Sequence, residues 1–232
     1  MCYNKKAETS ESKVKSKSGN RGKGMNIKDK SVIVFAGDST TDAGKTVTPD
    51  RLGDGYVKLV HDALIAFRPW AEYRIVNAGV SGNKSRDLLA RWDADVMDCK
   101  PDVVFCMIGI NDVWRHFDGL EFSDELSTEK EYEENLIKIC EKSKGIGQFV
   151  FMYPFFMERN ASDEMRVMTD AYRKVMKKVA DRYGRPILDT QKVFDEYMKD
   201  RAGQSISWDR VHPNRIGSML LARLVLREIE CW

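Results

Sequence analysis

The chain has 232 residues, of which 42% are hydrophobic and 32% charged, enough to bury one substantial core. Its formal charge of +2 hides an uneven distribution: Met1 to Lys30 carries nine Lys/Arg against three Asp/Glu, so the remainder is mildly acidic and offers no nucleic-acid-binding body. No apolar run approaches the roughly 18 to 20 residues of a membrane span, and the five scattered cysteines form no C-x-x-C pair and no ligand-like spacing to a histidine, which points to a reduced, cytoplasmic protein.

Residues 1–29 are rich in Ser, Lys, Gly and Asn and almost free of large apolar side chains, so burial cannot offset their ordering entropy. They read as a disordered basic extension, either dispensable or the product of an upstream start with Met25 as the natural beginning. The segment has the positive charge of a signal peptide but lacks its apolar middle. Residues 30–232 read as one folded domain.

Within that domain, strand-like and helix-like stretches alternate. Val32 to Ala36 is an apolar β-type run that stops at Gly37-Asp38-Ser39. Tyr56 to Phe67 has helical spacing, with apolar residues at 56, 57, 59, 60, 63, 64 and 67. Tyr73 to Ala78 is a second strand ending in Gly79-Val80-Ser81-Gly82-Asn83; Ser85 is expected to cap a helix with Leu88, Leu89, Trp92 and Val96 on one face, stopped before Pro101. Asp102 to Ile108 is the continuous apolar run of a strand covered on both faces, broken at Gly109-Ile110-Asn111-Asp112 and followed by a polar loop. Glu131 to Lys144 is helical, Gln148 to Tyr153 a fourth strand, and the stripe Met165, Met168, Tyr172, Val175, Met176, Val179, Tyr183 a long helix with Ser162 as N-cap and Gly184 past its end. Pro186 to Leu188, Lys192 to Asp200 and Asn214 to Ile229 complete the order as strand, helix, helix. The last helix is apolar on most of its circumference, which predicts burial on more than one side, in the fold or at a contact between copies in a homo-oligomer. Five strands separated by helices predict an α/β fold: a three-layer α/β/α sandwich with a five-stranded parallel sheet and right-handed crossovers.

In such a sheet the breaks after strands one, two and three fall on one edge, where ligands bind. Ser39 is there as a candidate nucleophile. A serine hydroxyl needs a base, and an imidazole base needs a carboxylate on its other nitrogen. Asp209 and His212, three apart in Trp208-Asp209-Arg210-Val211-His212-Pro213, supply both, and Pro213 disfavours the α conformation at His212 so that it projects from a loop. Oxyanion donors are available in the Gly82 and Ser39 backbone N–H groups and the Asn111 side-chain amide. The route needs no metal and no cofactor, and the spacing of His61, His116 and His212 suggests no metal site.

Two rivals stand beside this reading, the first of them read from the residues themselves. Gly44-Lys45-Thr46 follows the first strand like the end of a phosphate-binding loop, but Ser39 stands where the leading glycine belongs, and Asp38 and Asp42 would repel phosphate. A non-catalytic carbohydrate-binding protein on the same scaffold would be favoured by a missing triad member, and none is missing.

The ordered blocks Gly-Asp-Ser, a loop glycine, Gly-x-Asn-Asp and Asp-x-x-His resemble the SGNH (GDSL-type) esterase/lipase superfamily, over the whole chain from Ser31 onward. The resemblance implies the flavodoxin-like SGNH hydrolase fold, with Ser39 as nucleophile, Gly82 and Asn111 as oxyanion donors, His212 as base and Asp209 as its orienter. Thr40 departs from the leucine usual after the serine, at a position the chemistry does not use. The stretches 77–92, 108–118 and 208–213 resemble intracellular bacterial acetylxylan or acetyl-xylooligosaccharide esterases, which implies a small acetylated carbohydrate as substrate; other acyl esters, of lysophospholipase or thioesterase type, are the alternative. Asp38, Trp114, Arg115 and Trp208, beside the predicted site loops, are the candidate substrate-binding residues, the indoles as stacking faces for a pyranose.

Overall fold

The β-branched and aromatic run Val32–Gly37 forms β1, and its neighbours in the sheet are fixed by burial on both faces. The structure, a computed structural model, describes residue 25 and residues 27–230; the expected disorder of 1–24 lies outside the described residues. The helix α1 (Ser39–Asp42) follows β1 directly, then α2 (Tyr56–Phe67), β2 (Arg74–Gly79), α3 (Ser85–Ala90), α4 (Trp92–Asp95), β3 (Val103–Met107) and α5 (Ile110–Asp118). The second half runs α6 (Glu129–Lys142), β4 (Gln148–Met152), α7 (Glu164–Tyr183), β5 (Ile187–Leu188), α8 (Thr190–Asp200) and α9 (Arg215–Glu228). All strand pairs are parallel, in the order β2-β1-β3-β4-β5. This is the doubly wound order whose switch point lies between β1 and β3.

Alternate residues of the strands feed two cores. Val34, Ala36, Val104, Cys106, Phe149 and Phe151 pack with Trp92 and with residues of α6 and α7; Ile33, Phe35, Phe105, Val150 and Met152 pack with residues of α2, α8 and α9. Both faces are therefore covered, as the unbroken apolar run of β3 required. Gly37 is in register with Gly79 on one side and Met107 on the other, so β1, β2 and β3 end level and their three loops leave from one line.

Several boundaries differ from the sequence expectation. Ile27 is 4% exposed and packs in the α9-side core, and Met25 N–H bonds Glu228 C=O at 2.6 Å, so the fold begins before residue 30. Ser85 is not a cap but the first residue of α3: Lys84 is the N-cap, its N–H donating to the Asp87 carboxylate at 2.8 Å. The single helix expected to run on toward Pro101 is broken at Arg91, whose φ of −104° and ψ of 8° leave the helical region. Asp163, not Ser162, caps α7, accepting the Arg166 N–H at 3.1 Å; adjacent Ser and Asp are both good caps, and sequence does not choose between them. Gly109-Ile110-Asn111-Asp112 leads directly into α5, where a polar loop was expected. In α9, Leu221, Ala222, Val225 and Leu226 are buried, whereas Ile216 and Met219 are 49% and 48% exposed, so within the single chain its burial is one-sided.

Candidate active site

Ser39 is the first residue of α1, two residues past the end of β1. Packing leaves no room for a side chain at Gly37: a Cβ there would lie 2.5 Å from the Met107 carbonyl oxygen and 2.4 Å from Thr41 Oγ1. This close approach turns the chain sharply after the strand. Asp38 caps the turn, its Oδ1 accepting the Thr40 N–H at 3.0 Å. Asp38 is 1% exposed, and burial pushes its carboxyl up to about 7 against the opposing Thr40 hydrogen bond. Its side chain is thus enclosed in the turn and is not on a surface that a sugar reaches, contrary to the sequence expectation.

The Ser39 Oγ lies 2.8 Å from His212 Nε2, and His212 Nδ1 lies 2.6 Å from Asp209 Oδ2. A carboxylate only accepts, so Nδ1 carries the proton, and Nε2 is left as the acceptor for the serine hydroxyl. Asp209 Oδ1 accepts three more hydrogen bonds, from the Val211 N–H at 3.0 Å, the His212 N–H at 2.8 Å and the Ser207 hydroxyl at 3.0 Å. Burial works against its charge, but the hydrogen bonds from the His212 ring and backbone and from Val211 outweigh it and hold the carboxyl below its usual range. Beyond Pro213 the chain enters α9, where Asn214 Oδ1 caps the N–H groups of Ile216 and Gly217 at 2.9 and 3.3 Å.

The other two loops of the edge are cross-tied. Gly82 has φ +81°, and the space where its Cβ would be is open, so the backbone there is accessible. Asn111, in the first turn of α5, donates from Nδ2 to the Asn83 carbonyl at 3.0 Å. Arg115 is turned to Asp118 and, at 3.4 Å, to the amide oxygen of Asn111; it orients that amide and does not face outward. Trp114 sets its ring against the His212 ring, the centroids 5.5 Å apart in an edge arrangement. Trp208 is 86% exposed.

Sequence reasoning missed the residues that hold these loops. Arg91 donates to the carbonyls of Gly37 at 2.9 Å and Ala78 at 2.7 Å and to Asn83 Oδ1 at 2.7 Å, joining the ends of β1 and β2 to the Gly82 loop. Asp112, wholly buried, accepts the Ser85 N–H at 2.9 Å and the Ser85 hydroxyl at 2.6 Å, joining α5 to α3. Lys45, the cation of the phosphate-loop rival, is spent on the backbone carbonyls of Asn77, at 3.1 Å, and Gly79. That rival loses its phosphate ligand. His61 pairs with Asp62 and His116 with the Ser127 carbonyl.

Two cavities lie at the triad, one lined by Ser39 and His212 and the other by Asp209. One of about 300 Å³ is lined by Ser39, Thr40, Asp54, His212 and Arg215; another of about 490 Å³ is lined by Trp114, Phe117, Phe156, Asp163, Asp209 and Arg210. A third, of about 410 Å³ between α8 and α9, contains none of the site residues. Among the described residues, no helix is long and apolar enough to cross a membrane.

The family model of the GDSL-like lipase/acylhydrolase family matches residues 35–220. The chain is 42% identical over 211 residues to an acetylxylan esterase of Geobacillus stearothermophilus, covering 88% of this chain and 96% of that protein. Among solved structures, LAE5, an alpha/beta hydrolase from the metagenome of Lake Arreo, Spain, is similar at TM-score 0.85 and 39% identity, over 90% of this chain and 99% of that one. Axe2, an acetylxylan esterase from G. stearothermophilus, is similar at TM-score 0.83 and 41% identity, over 88% and 96%.

Proposed function

The chain belongs to the GDSL-like lipase/acylhydrolase family, and on that premise we propose that it is a serine esterase that removes acetyl groups from acetylated xylo-oligosaccharides. It is a carboxylic ester hydrolase. The observation that carries the mechanism is the continuous line from Ser39 Oγ to His212 Nε2 at 2.8 Å and from His212 Nδ1 to Asp209 at 2.6 Å.

In this reading Ser39 Oγ attacks the acetyl carbonyl carbon while its proton passes to His212 Nε2. The imidazolium so formed is stabilised by Asp209, already ionised and already hydrogen-bonded to Nδ1–H. The negative charge that develops on the carbonyl oxygen is met by the Ser39 and Gly82 N–H groups and by the second N–H of Asn111, the first being held by Asn83. Collapse breaks the bond to the sugar oxygen, which takes the proton from His212. Water, giving its proton to the same nitrogen, attacks the acetyl-serine, and acetate leaves with Ser39 restored.

Similarity to an acetylxylan esterase over nearly the full length of both chains supports an acetylated xylo-oligosaccharide as substrate. The sugar is assigned to the side of Trp114, whose indole stands next to His212 and opens on the larger cavity. Trp208, next to Asp209, offers a second, solvent-facing indole. A cytoplasmic location fits the thiols of Cys99, Cys106 and Cys140, all free. The test compares acetylated xylo-oligosaccharides, other acetylated sugars and longer-chain acyl esters as substrates. The expected result is the highest kcat/KM on the xylo-oligosaccharides and loss of activity in Ser39→Ala; preference for long acyl chains would overturn the substrate, and undiminished activity in Ser39→Ala the nucleophile.

A further inference from the structure

Arg210 stands between Asp209 and His212 with φ +67°, in the left-handed region that glycine enters freely and other residues enter at a cost. Strained backbone of this kind persists only where its surroundings over-determine it. Here they do. Arg210 Nη1 lies 2.8 Å from Glu158 Oε2 and 3.3 Å from Asp163 Oδ2, and the guanidinium carbon lies 4.8 Å from the centre of the Phe156 ring. Its carbonyl accepts the Met157 N–H at 2.8 Å.

These anchors are themselves fixed. Phe156 is 1% exposed, with its N–H and C=O both held by the Gln191 side chain at 2.8 and 2.9 Å. Asp163 caps α7, and Arg166 on the first turn of that helix donates to the Glu158 carbonyl at 2.8 Å. On the other side of Arg210, Asp209 gathers the N–H groups of Val211 and His212 onto one oxygen while its second oxygen meets the imidazole. The left-handed residue lies inside this loop from Asp209 to His212. If it relaxed to negative φ, the carboxylate and the ring would no longer be aimed at one another.

We propose that Arg210 is a positioning residue: the grip of its side chain on Phe156, Glu158 and Asp163 holds the left-handed turn that aligns Asp209 and His212 on Ser39. The assignment rests on the serine esterase reading above and adds a residue that does not touch the nucleophile; because Arg210 also lines the larger cavity, a small acetate ester, which does not fill that cavity, separates positioning from sugar contact.

The experiment measures kcat and KM of wild type, Arg210→Ala, Arg210→Gly and Glu158→Gln on a small chromogenic acetate and on acetylated xylo-oligosaccharides. Labelling of Ser39 by a fluorophosphonate and thermal melts are followed in parallel. Arg210→Ala is expected to lower kcat at least tenfold on both substrates and to slow labelling equally, with KM for the chromogenic acetate within twofold. Arg210→Gly, which adopts the same φ without the grip, is expected to recover at least threefold over Arg210→Ala. Glu158→Gln, which loosens the grip and leaves residue 210 intact, is expected to lose about threefold, and it keeps the test readable if Arg210→Ala does not fold. Full kcat in Arg210→Ala, or equal loss in the alanine and glycine variants, would overturn the proposal. So would a loss confined to KM on the oligosaccharides, which would make Arg210 a substrate contact. Wild-type protein that neither turns over the acetate nor is labelled at Ser39 would instead remove the esterase reading itself.

Discussion

Asp209 holds His212 twice: one carboxylate oxygen is 2.6 Å from the ring nitrogen Nδ1 and the other 2.8 Å from the backbone N–H of the same residue. One side chain therefore contacts both the imidazole and the chain that carries it. Asp209→Asn would put an amide opposite Nδ1, where its N–H₂ favours the tautomer that leaves Nε2 protonated and unable to take the serine proton. The expected outcome is a fall in kcat of about 10³ to 10⁴-fold with the fold retained, checked by steady-state kinetics beside circular dichroism.

Asn111 tests the oxyanion assignment. Its amide is braced from both ends, by Asn83 at 3.0 Å and Arg115 at 3.4 Å, so it needs little reorganisation when charge develops. Asn111→Ala is expected to lower kcat by about 10² to 10³-fold, some 2.7–4 kcal/mol of transition-state stabilisation. KM should change little. A loss that appears in KM with kcat intact would mean that the amide binds substrate in its ground state.

Arg91 makes a prediction about stability. Its planar fork meets two main-chain carbonyls and one side-chain amide oxygen, at the ends of two strands and in the Gly82 loop. Arg91→Met fills similar volume but leaves these acceptors without their donor, which costs about 1–3 kcal/mol for each one that water does not reach. Denaturant unfolding should show a loss of roughly 2–4 kcal/mol, and a single point charge in Arg91→Lys should restore only part of it.

The division between what the sequence disclosed and what it hid follows from range. Strands one to three were readable because each apolar run stops at a glycine, and the parallel register then brings Gly37, Gly79 and Met107 level. Asp209 and His212 were readable because their partnership is local, three residues apart. Helix α5 was not, because Gly109-Ile110-Asn111-Asp112 looks like a turn and only its first four residues are buried; the left-handed Gly119 that closes it, with Arg115 and His116 in its last turn, was the unused signal. Arg91, Asp112 and Arg210 each act through at least one partner 27 to 54 residues away, and no periodicity encodes such a pairing. Asp38 misled for a different reason: a carboxylate beside a candidate nucleophile suggests a ligand, whereas its short side chain folds back on Thr40 N–H and is buried there.

That burial gives Asp38 a measurable signature. Its carboxyl is raised from 3.8 to about 7 in the folded protein, chiefly by burial, so between those values the folded state holds a proton that the unfolded state has released. The stability it contributes is fully present below about pH 4 and is lost as the pH rises through the folded value of about 7. Asn keeps the cap on Thr40 N–H and does not titrate. The stability of Asp38→Asn relative to wild type is therefore expected to rise from pH 4 to pH 7, by a few kcal/mol at about 1.4 kcal/mol per pKa unit, and to level off above that. Thermal or denaturant unfolding of the two proteins at half-unit steps from pH 4 to pH 8 measures it, and a constant difference across the range would mean that Asp38 ionises like an exposed carboxylate despite its burial.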